Sequence, residues 1–410
     1  MQTIEIRNIG PLVETGNVPV SQVMLLIGEQ STGKSTFMKI LCFCCWLEKQ
    51  VMIGGEGIVS KYTHYYRFWN ELKKFHHLND DFLSDSSYIK YDGPAIQIEM
   101  DGKKRNAKIV RKANFAENKH NLKISFLPSE RNLLSSIQNI ENLYRSKEVD
   151  VLFNYILEWG EARAQFDAAH PLNLVFVDRM KYHFDAKNGD VLTLADGRSK
   201  IKPYYASSGV QSALPIQVLA TYLAAEVGTV AKKSPAEYLK QFDNLDPKNV
   251  KALLTEWNNF QNRSSYQSFH MFVEELEQNL FPKAQFELVK LLVGLLKQME
   301  KKPTGYESTV FLTTHSPYVL TALNVMMLAS VAYGKSPERV RKLGLEEYVL
   351  PYGSYSAYCI KDGRFESIVD EEYDFIKGDF LDSWRKRSIP THSEWLYPLT
   401  FDAGKGLKEA

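Results

Sequence analysis

The chain has 410 residues, 44% of them apolar and 24% charged, with a formal charge of +1. That is the composition of a globular protein with ample material for a core, and it excludes recognition of an anionic partner by net charge alone, so any such partner must be met by a local patch. No apolar stretch reaches the roughly 20 residues of a membrane-spanning helix, and the opening MQTIEIRNIG carries no charged-then-apolar export signal, so a cytoplasmic protein without membrane contact is expected.

In chain order, TIEIRNIGPL alternates like a strand and VMLLIG is a buried strand. A helix follows from Ser35 to about Lys49 and carries Cys42, Cys44 and Cys45. With Cys359 these are the only cysteines, and none stands at zinc-ligand spacing, which predicts reduced core thiols. Residues 61–78, KYTHYYRFWNELKKFHHL, read as one aromatic and basic helix whose rings either pack on the sheet, the favoured reading, or stack on nucleic-acid bases. Strands are expected at AIQIEM, AKIVRKA and LKISFLP, the first two joined in a hairpin through MDGKKR. Residues 129–168 look helical, a short hairpin projecting from the sheet. NLVFVD and KYHFD return to strand, and a helix starts near Gly209. After it, about 40 polar residues from Gly228 to Gln267 read as helical with Pro and Asp-Pro breaks. The runs FHMFVEE and STVFLTTHS are strands separated by the helix KAQFELVKLLVGLLKQMEKK. A hairpin, YSAYCIKDGRFESIV, and a helix, EEYDFIKGDFLDSWRKR, close the chain. Strands alternating with helices predict an α/β sheet.

The chemistry concentrates at four places. Gly28, Glu29, Gln30, Ser31, Thr32, Gly33, Lys34, Ser35 and Thr36 spell the phosphate-cradling Gly-x4-Gly-Lys-Ser pattern, expected by chance in about one chain in a hundred of this length. It stands where it must, after an apolar strand and before a helix. The glycines let backbone N–H groups wrap the phosphates, Lys34 reaches the β- and γ-phosphates, and Ser35 holds Mg²⁺. A hydrolase also needs an apolar strand ending in carboxylates. NLVFVD ends at Asp178 and FHMFVEE at Glu274 and Glu275. The later landmark TVFLTTHS, delivering His315 at a strand end, favours the glutamates and leaves Asp178 a structural strand-end residue. Earlier in the chain, YYASSGVQSALPI places Ser207, Ser208, Gly209 and Gln211 at a helix start, which a plain N-cap would also explain.

This order of motifs resembles the ATP-binding-cassette (ABC) ATPase head, a P-loop NTPase with mixed sheets. More narrowly it is similar to the soluble branch of SMC and RecF proteins and the overcoming-lysogenisation-defect (OLD) nucleases. In the OLD-like group the carboxylates commonly read Glu-Glu-Pro-Glu before a His-Leu-His-Pro turn. Here Leu276 replaces the proline, Asn279 and Phe281 stand at the histidine positions, and Pro282 is kept. Gln30 and Ser31 stand where Asn-Gly is usual. FLPSERN (Phe126 to Asn132) resembles that group's Pro-x-Glu-Arg stretch. The resemblance implies that Glu274 holds the metal's water shell, Glu275 orients and deprotonates the attacking water, and His315 senses the γ-phosphate. It implies that Ser207, Ser208, Gly209 and Gln211 contact ATP held by a second copy, making a homodimer or higher homo-oligomer. It divides the chain into a head segment at 1–128, a helical insertion at 129–172, the rest of the head at 173–384 with a polar insert at 228–267, and a tail at 385–410.

SMC-like arms and the zinc-hook Cys-x-x-Cys are absent between Pro128 and Ser207, and 95 residues follow His315 without the strand-end Glu and Asp-x-Asp of a Toprim nuclease. An effector nuclease supplied in trans is therefore expected, with this chain as sensor or motor subunit of an anti-phage assembly, a role implied by family association. The alternatives are a RecF-like repair ATPase and a nucleotide-locked scaffold with incidental turnover. From Lys103 to Lys123 there are eight Lys or Arg against one Glu, a stretch that would follow a nucleic-acid backbone or serve as a lysine-rich exposed edge.

Overall fold

The computed structural model describes residues 2–137, 140, 149–229, 266–302, 304–370 and 375–378. The chain opens with β1 (Thr3–Ile9), β2 (Leu12–Glu14) and β3 (Val18–Pro19), then the buried β4 (Val23–Ile27). After α1 (Lys34–Gly54), α2 (Glu56–Tyr62) and α3 (Arg67–His76) come β5 (Leu83–Asp92), β6 (Ile96–Asp101), β7 (Ala107–Arg111) and β8 (Leu122–Leu127). A 3-10 turn at Ser129–Asn132 enters the short α4 (Leu133–Ser136), and α5 (Val151–Arg163) follows. Next, β9 (Leu172–Asn173), β10 (Lys181–Asp185), β11 (Gly189–Thr193) and β12 (Lys200–Ile201) make a small antiparallel sheet, and α6 (Ser208–Glu226) leaves it. The remainder is β13 (Ser268–Val273), α7 (Pro282–Glu300), β14 (Thr309–Thr314), α8 (Pro317–Lys335), α9 (Pro337–Lys342), the hairpin β15 (Tyr355–Lys361) and β16 (Arg364–Ser367), and the pair β17 (Val369–Asp370) and β18 (Phe375–Ile376).

The large sheet is mixed and runs β7-β6-β5-β1-β2-β16-β15-β4-β14-β13-β8, with β3 on β1. Five neighbours, β15, β4, β14, β13 and β8, are parallel. Parallel strands bury both faces, so they read as unbroken apolar runs. In β4, Val23, Leu25 and Ile27 face one core, shared with α6, α7 and α8, while Met24 and Leu26 face the other, shared with α1. The antiparallel wing has one covered face, and β6 shows it: Ile96, Ile98 and Met100 are buried between exposed Gln97 and Glu99. Glu48 of α1 ties the wing down. Its buried carboxylate accepts from the Tyr91 hydroxyl (2.6 Å) and from the N–H groups of Ala95 and Ile96. All four cysteines are buried and unpaired. Helix α8 is long and apolar enough to cross a membrane, yet Val319, Leu320, Ala322, Leu323, Met326 and Met327 join the core beside α7.

Four expectations change. The helix at 61–78 is two helices, broken between Tyr62 and Arg67, where Tyr65 and Tyr66 take left-handed backbone conformations. Of its aromatics Tyr62, Phe68 and Trp69 are buried, but Tyr65 and Tyr66 are exposed. NLVFVD is not a strand beyond Asn173, because the Gln217 amide takes the place of a neighbouring strand: it accepts from the Val175 N–H (3.0 Å) and donates to the Asn173 carbonyl (2.7 Å). Asp178 therefore sits in an exposed turn, paired with Lys283. Within the expected closing helix, Phe375–Ile376 is a strand held by both ends of the Asn324 side chain. The ten-residue β5 carried too many polar residues in its first half, LSDSS, for alternation to reveal it. The polar insert lies almost wholly outside the described residues, as does the tail.

Candidate functional site

The carboxyl ends of parallel strands converge on one edge, where ligands of open α/β sheets bind. From β4 the chain turns through Gly28–Gly33 into α1. Gly33 has φ 106° and lies so close to Leu12 that a Cβ would come within 2.5 Å of its Cδ2, so only glycine closes this turn. Within the loop the Thr32 hydroxyl donates to the Glu29 carbonyl (2.9 Å), Ser31 is left-handed at φ 61°, and Glu29, Gln30 and Ser31 are exposed. Lys34 is the first residue of α1 and is buried, its ammonium donating to the carbonyls of Gly28 (2.9 Å) and Glu29 (2.6 Å). Burial lowers its pKa to about 8, against the opposing pull of Glu275, Glu277 and Cys359. Thr36 is buried in the first turn and Ser35 is exposed.

Beside this loop β13 ends at Val273, and Glu274 follows it. The Glu274 carboxylate is buried; its Oε2 accepts from the Ser129 N–H (3.2 Å), and its Oε1 has no hydrogen-bond partner. Burial raises its pKa, partly countered by Lys39, the Ser35 hydroxyl and the Ser129 N–H. A buried carboxylate oxygen without a donor, next to a serine hydroxyl at the head of a helix, fits a hard cation. Among the described residues no three His, Cys, Asp or Glu groups are arranged to hold a metal; Mg²⁺ is commonly bound by one or two protein groups, with phosphates and water supplying the rest. The residues present therefore fit Mg²⁺ held by Ser35 and Glu274.

Glu275 is left-handed at φ 47°, a strained conformation for a side chain this size. Its N–H donates to the Thr313 hydroxyl (2.9 Å). The turn is held from behind by Arg131, which is completely buried. Its Nη1 donates to the Glu274 carbonyl (2.6 Å), Nη2 to the Glu275 carbonyl (2.7 Å) and Nε to the Ser212 carbonyl of α6 (3.1 Å). The Arg131 carbonyl in turn accepts from the Tyr155 hydroxyl (3.1 Å). One guanidinium thus joins the carboxylate turn to the helix that carries Ser207–Gln211. Two residues past Glu275, Glu277 accepts from the Thr314 hydroxyl (2.7 Å) and the His315 N–H, fixing the end of β14.

The serine-rich helix start is attached to the same turn. Asn279 Nδ2 donates to the Ser212 hydroxyl (3.0 Å), and Gly209 runs against the Asn279 carbonyl, where a Cβ would approach to 2.9 Å. Ser207 is the N-cap and its hydroxyl makes no capping bond; Ser208 and Gly209 begin the helix. Gln211 is already engaged, donating to the carbonyls of Pro203 (3.2 Å) and Tyr204 (3.0 Å). Among the described residues no hydrogen bond joins Ser207, Ser208, Gly209 or Gln211 to the phosphate loop. The fold thus gathers the phosphate loop, Glu274, Glu275 and His315, and attaches the serine-rich helix start to the same turn through Ser212 and Gly209. Arg131, Glu277, Ser129 and Thr313 had no role in the sequence reading. Arg131 and Ser129 stood in FLPSERN and Glu277 in EELEQ, motifs whose presence was legible but whose contacts were not. Of the basic stretch, Lys123 is buried against Glu161 (3.4 Å), so the positive surface ends before it.

No family model matches the chain, and no curated protein matches it. Among solved structures it is similar to an SMC head bound to the C-winged helix domain of ScpA (TM-score 0.39, 9% identity, covering 90% of this chain and 98% of that one). It is also similar to the SMC head domain from Thermotoga maritima (0.38, 10%, 89% and 97%) and to the recombination mediator protein RecF-ATPrS of the RecFOR pathway (0.36, 11%, 89% and 97%). These likenesses are too distant to carry the chemistry of the site, which rests on its own residues.

Proposed function

We propose that the chain is an ABC-type ATPase that binds ATP with Mg²⁺ at the ends of β4, β13 and β14 and hydrolyses it between two copies. The observation that carries this reading is Glu274 Oε1, a buried acceptor without a donor beside Ser35, at the mouth of a phosphate loop whose lysine is already in place. Mg²⁺, when bound, neutralises phosphate charge. Lys34 exchanges its two carbonyls for phosphate oxygens, Glu275 takes the proton of the attacking water, and His315, placed by Glu277, meets the γ-phosphate. Ser207, Ser208 and Gly209 serve the nucleotide of the second copy, a role supported by the motif order and by a helix start whose cap hydroxyl makes no capping bond and whose N–H groups can receive an anion. Gln211 joins them only by releasing the carbonyls it now holds.

The likeness of the motif order to the OLD-like branch supports a place in a multi-protein anti-phage assembly, as sensor or motor, with the nuclease brought by a partner. Three variants test the ATPase reading together. Lys34→Ala should lose nucleotide binding. Glu275→Gln should bind ATP, accumulate a dimer and turn over at least about a hundredfold more slowly. Ser208→Arg should bind ATP but not hydrolyse it. Wild-type turnover by Glu275→Gln removes the base assignment, and wild-type turnover by Ser208→Arg removes the two-copy site.

A further inference from the structure

Between α2 and α3, Tyr65 and Tyr66 have φ of 57° and 56°. Bulky residues avoid this region and hold it only when their surroundings impose it. One restraint is visible: the Tyr66 N–H donates to Asn106 Oδ1 (3.0 Å), just past the β6–β7 turn. The result is that Tyr65 is 78% and Tyr66 51% exposed, where the neighbouring Tyr62, Phe68 and Trp69 are buried.

Asn106 follows Lys103, Lys104 and Arg105, all exposed. Asp101 turns its carboxylate onto the Lys103 and Lys104 N–H groups, so it orders the turn's backbone. Among the described residues none of the three cationic side chains enters an ion pair, whereas farther along the same stretch Arg111 pairs with Glu56 and Lys112 with Asp92. Arg67 lies 5.7 Å from the centre of the Tyr65 ring. Two outward rings and four cations are therefore gathered across one hydrogen bond.

We propose that this surface binds a single-stranded nucleic acid, with Lys103, Lys104 and Arg105 on the phosphates and bases stacked on Tyr65 and Tyr66. Exposed rings stack on base faces, which a duplex hides and a single strand offers, and unpaired cations supply the backbone contacts. An acidic polypeptide would answer the charge but presents a planar face only at scattered aromatic side chains, where a nucleic acid presents one at every unit. The site is independent of the ATPase reading, so either can fail alone.

The test is fluorescence anisotropy of the full chain, without nucleotide, against labelled oligo-dT, oligo-U and a duplex of about 20 units, with polyglutamate as competitor. A single strand should bind more tightly than the duplex, with a log–log salt slope near −2 for about three phosphate contacts. Whichever of oligo-dT and oligo-U binds better identifies the sugar. Tyr65→Ala with Tyr66→Ala should weaken binding about tenfold or more while leaving the slope unchanged, and Phe at both positions should restore it. Gln at Lys103, Lys104 and Arg105 should flatten the slope. Nucleotide affinity should stay at wild type in the tyrosine variants, which also reports that they fold. Equal binding of duplex and single strand, indifference to the tyrosines, better competition by polyglutamate than by unlabelled strand, or no binding at all would each overturn the proposal.

Discussion

The turn after β13 and the underside of α3 each bury a basic side chain, on opposite faces of one sheet, and treat it in opposite ways. Arg131 keeps its charge company with three carbonyl oxygens from two segments. His76 is packed edge-on against Phe75 and Phe126, and neither ring nitrogen has a partner. Burial lowers the pKa of both, in His76 well below the usual imidazole value. A guanidinium cannot shed its proton near neutrality, so it is buried only where acceptors are aimed at it. An imidazole can, and it serves under α3 as a neutral ring. The difference separates a region organised around charge, where the proposed hydrolysis would take place, from one organised around apolar packing.

The largest effect should come from breaking the charged side. Arg131→Met leaves buried carbonyls without donors at about 1–3 kcal/mol each, so urea unfolding should show a loss of several kcal/mol. Arg131→Lys, which reaches fewer of them, should fall between. A midpoint unchanged in Arg131→Met would mean that water replaces the guanidinium and that the turn is not held by it. Glu277→Gln is next. Gln can keep the His315 N–H on its amide oxygen but must reverse the other bond, its NH2 donating to a Thr314 hydroxyl that already accepts from the Ser316 N–H, and the carboxylate's charge is lost. ATP turnover should drop about tenfold with little change in KM; equal turnover would detach His315 from the reaction.

The pH dependence of ATP binding sharpens the comparison on the same edge. Lys34 sits at about pKa 8 through burial, and phosphates would favour its charged form. Affinity should therefore be flat below about pH 8 and fall above it, and wild-type calorimetry that shows no fall above that pH would detach Lys34 from the phosphates. The smallest effect belongs to His76. Because its folded pKa lies below its unfolded value of about 6.5, the unfolded chain binds the proton more readily. The stability it contributes is present above that value and lost as the pH drops. At pH 5.5 the loss should be on the order of 1 kcal/mol. His76→Phe should remove this acid dependence and leave stability at pH 7.5 within about 1.5 kcal/mol of wild type, a difference read by comparing urea midpoints at the two pH values.

The site was legible in proportion to how locally it is built. Gly28 to Thr36 are contiguous, flanked by an apolar strand and a helix, and the phosphate binding proposed for them is suggested by spacing alone. The run FHMFVEE showed both the strand and the carboxylates that end it, because a central parallel strand must be apolar throughout. The breaks came where long-range contacts overruled local preference. Alternation in NLVFVD promised a strand, and a distant glutamine took its hydrogen bonds. The spacing at 61–78 promised one helix, and Asn106, 40 residues from Tyr66, holds the break open.

Sequence by itself determined the class of sheet, the place and order of the phosphate loop, the carboxylate strand and the histidine strand, and the reduced state of the cysteines, since each is written in periodicity, spacing or residue type. Only the tertiary structure decided that Arg131 joins carbonyls 81 and 143 positions away, that Glu277 places His315, and that Tyr65 and Tyr66 face outward beside the basic turn. Those assignments depend on which segments meet after folding, and a one-dimensional pattern carries the tendency of each segment but not its neighbours.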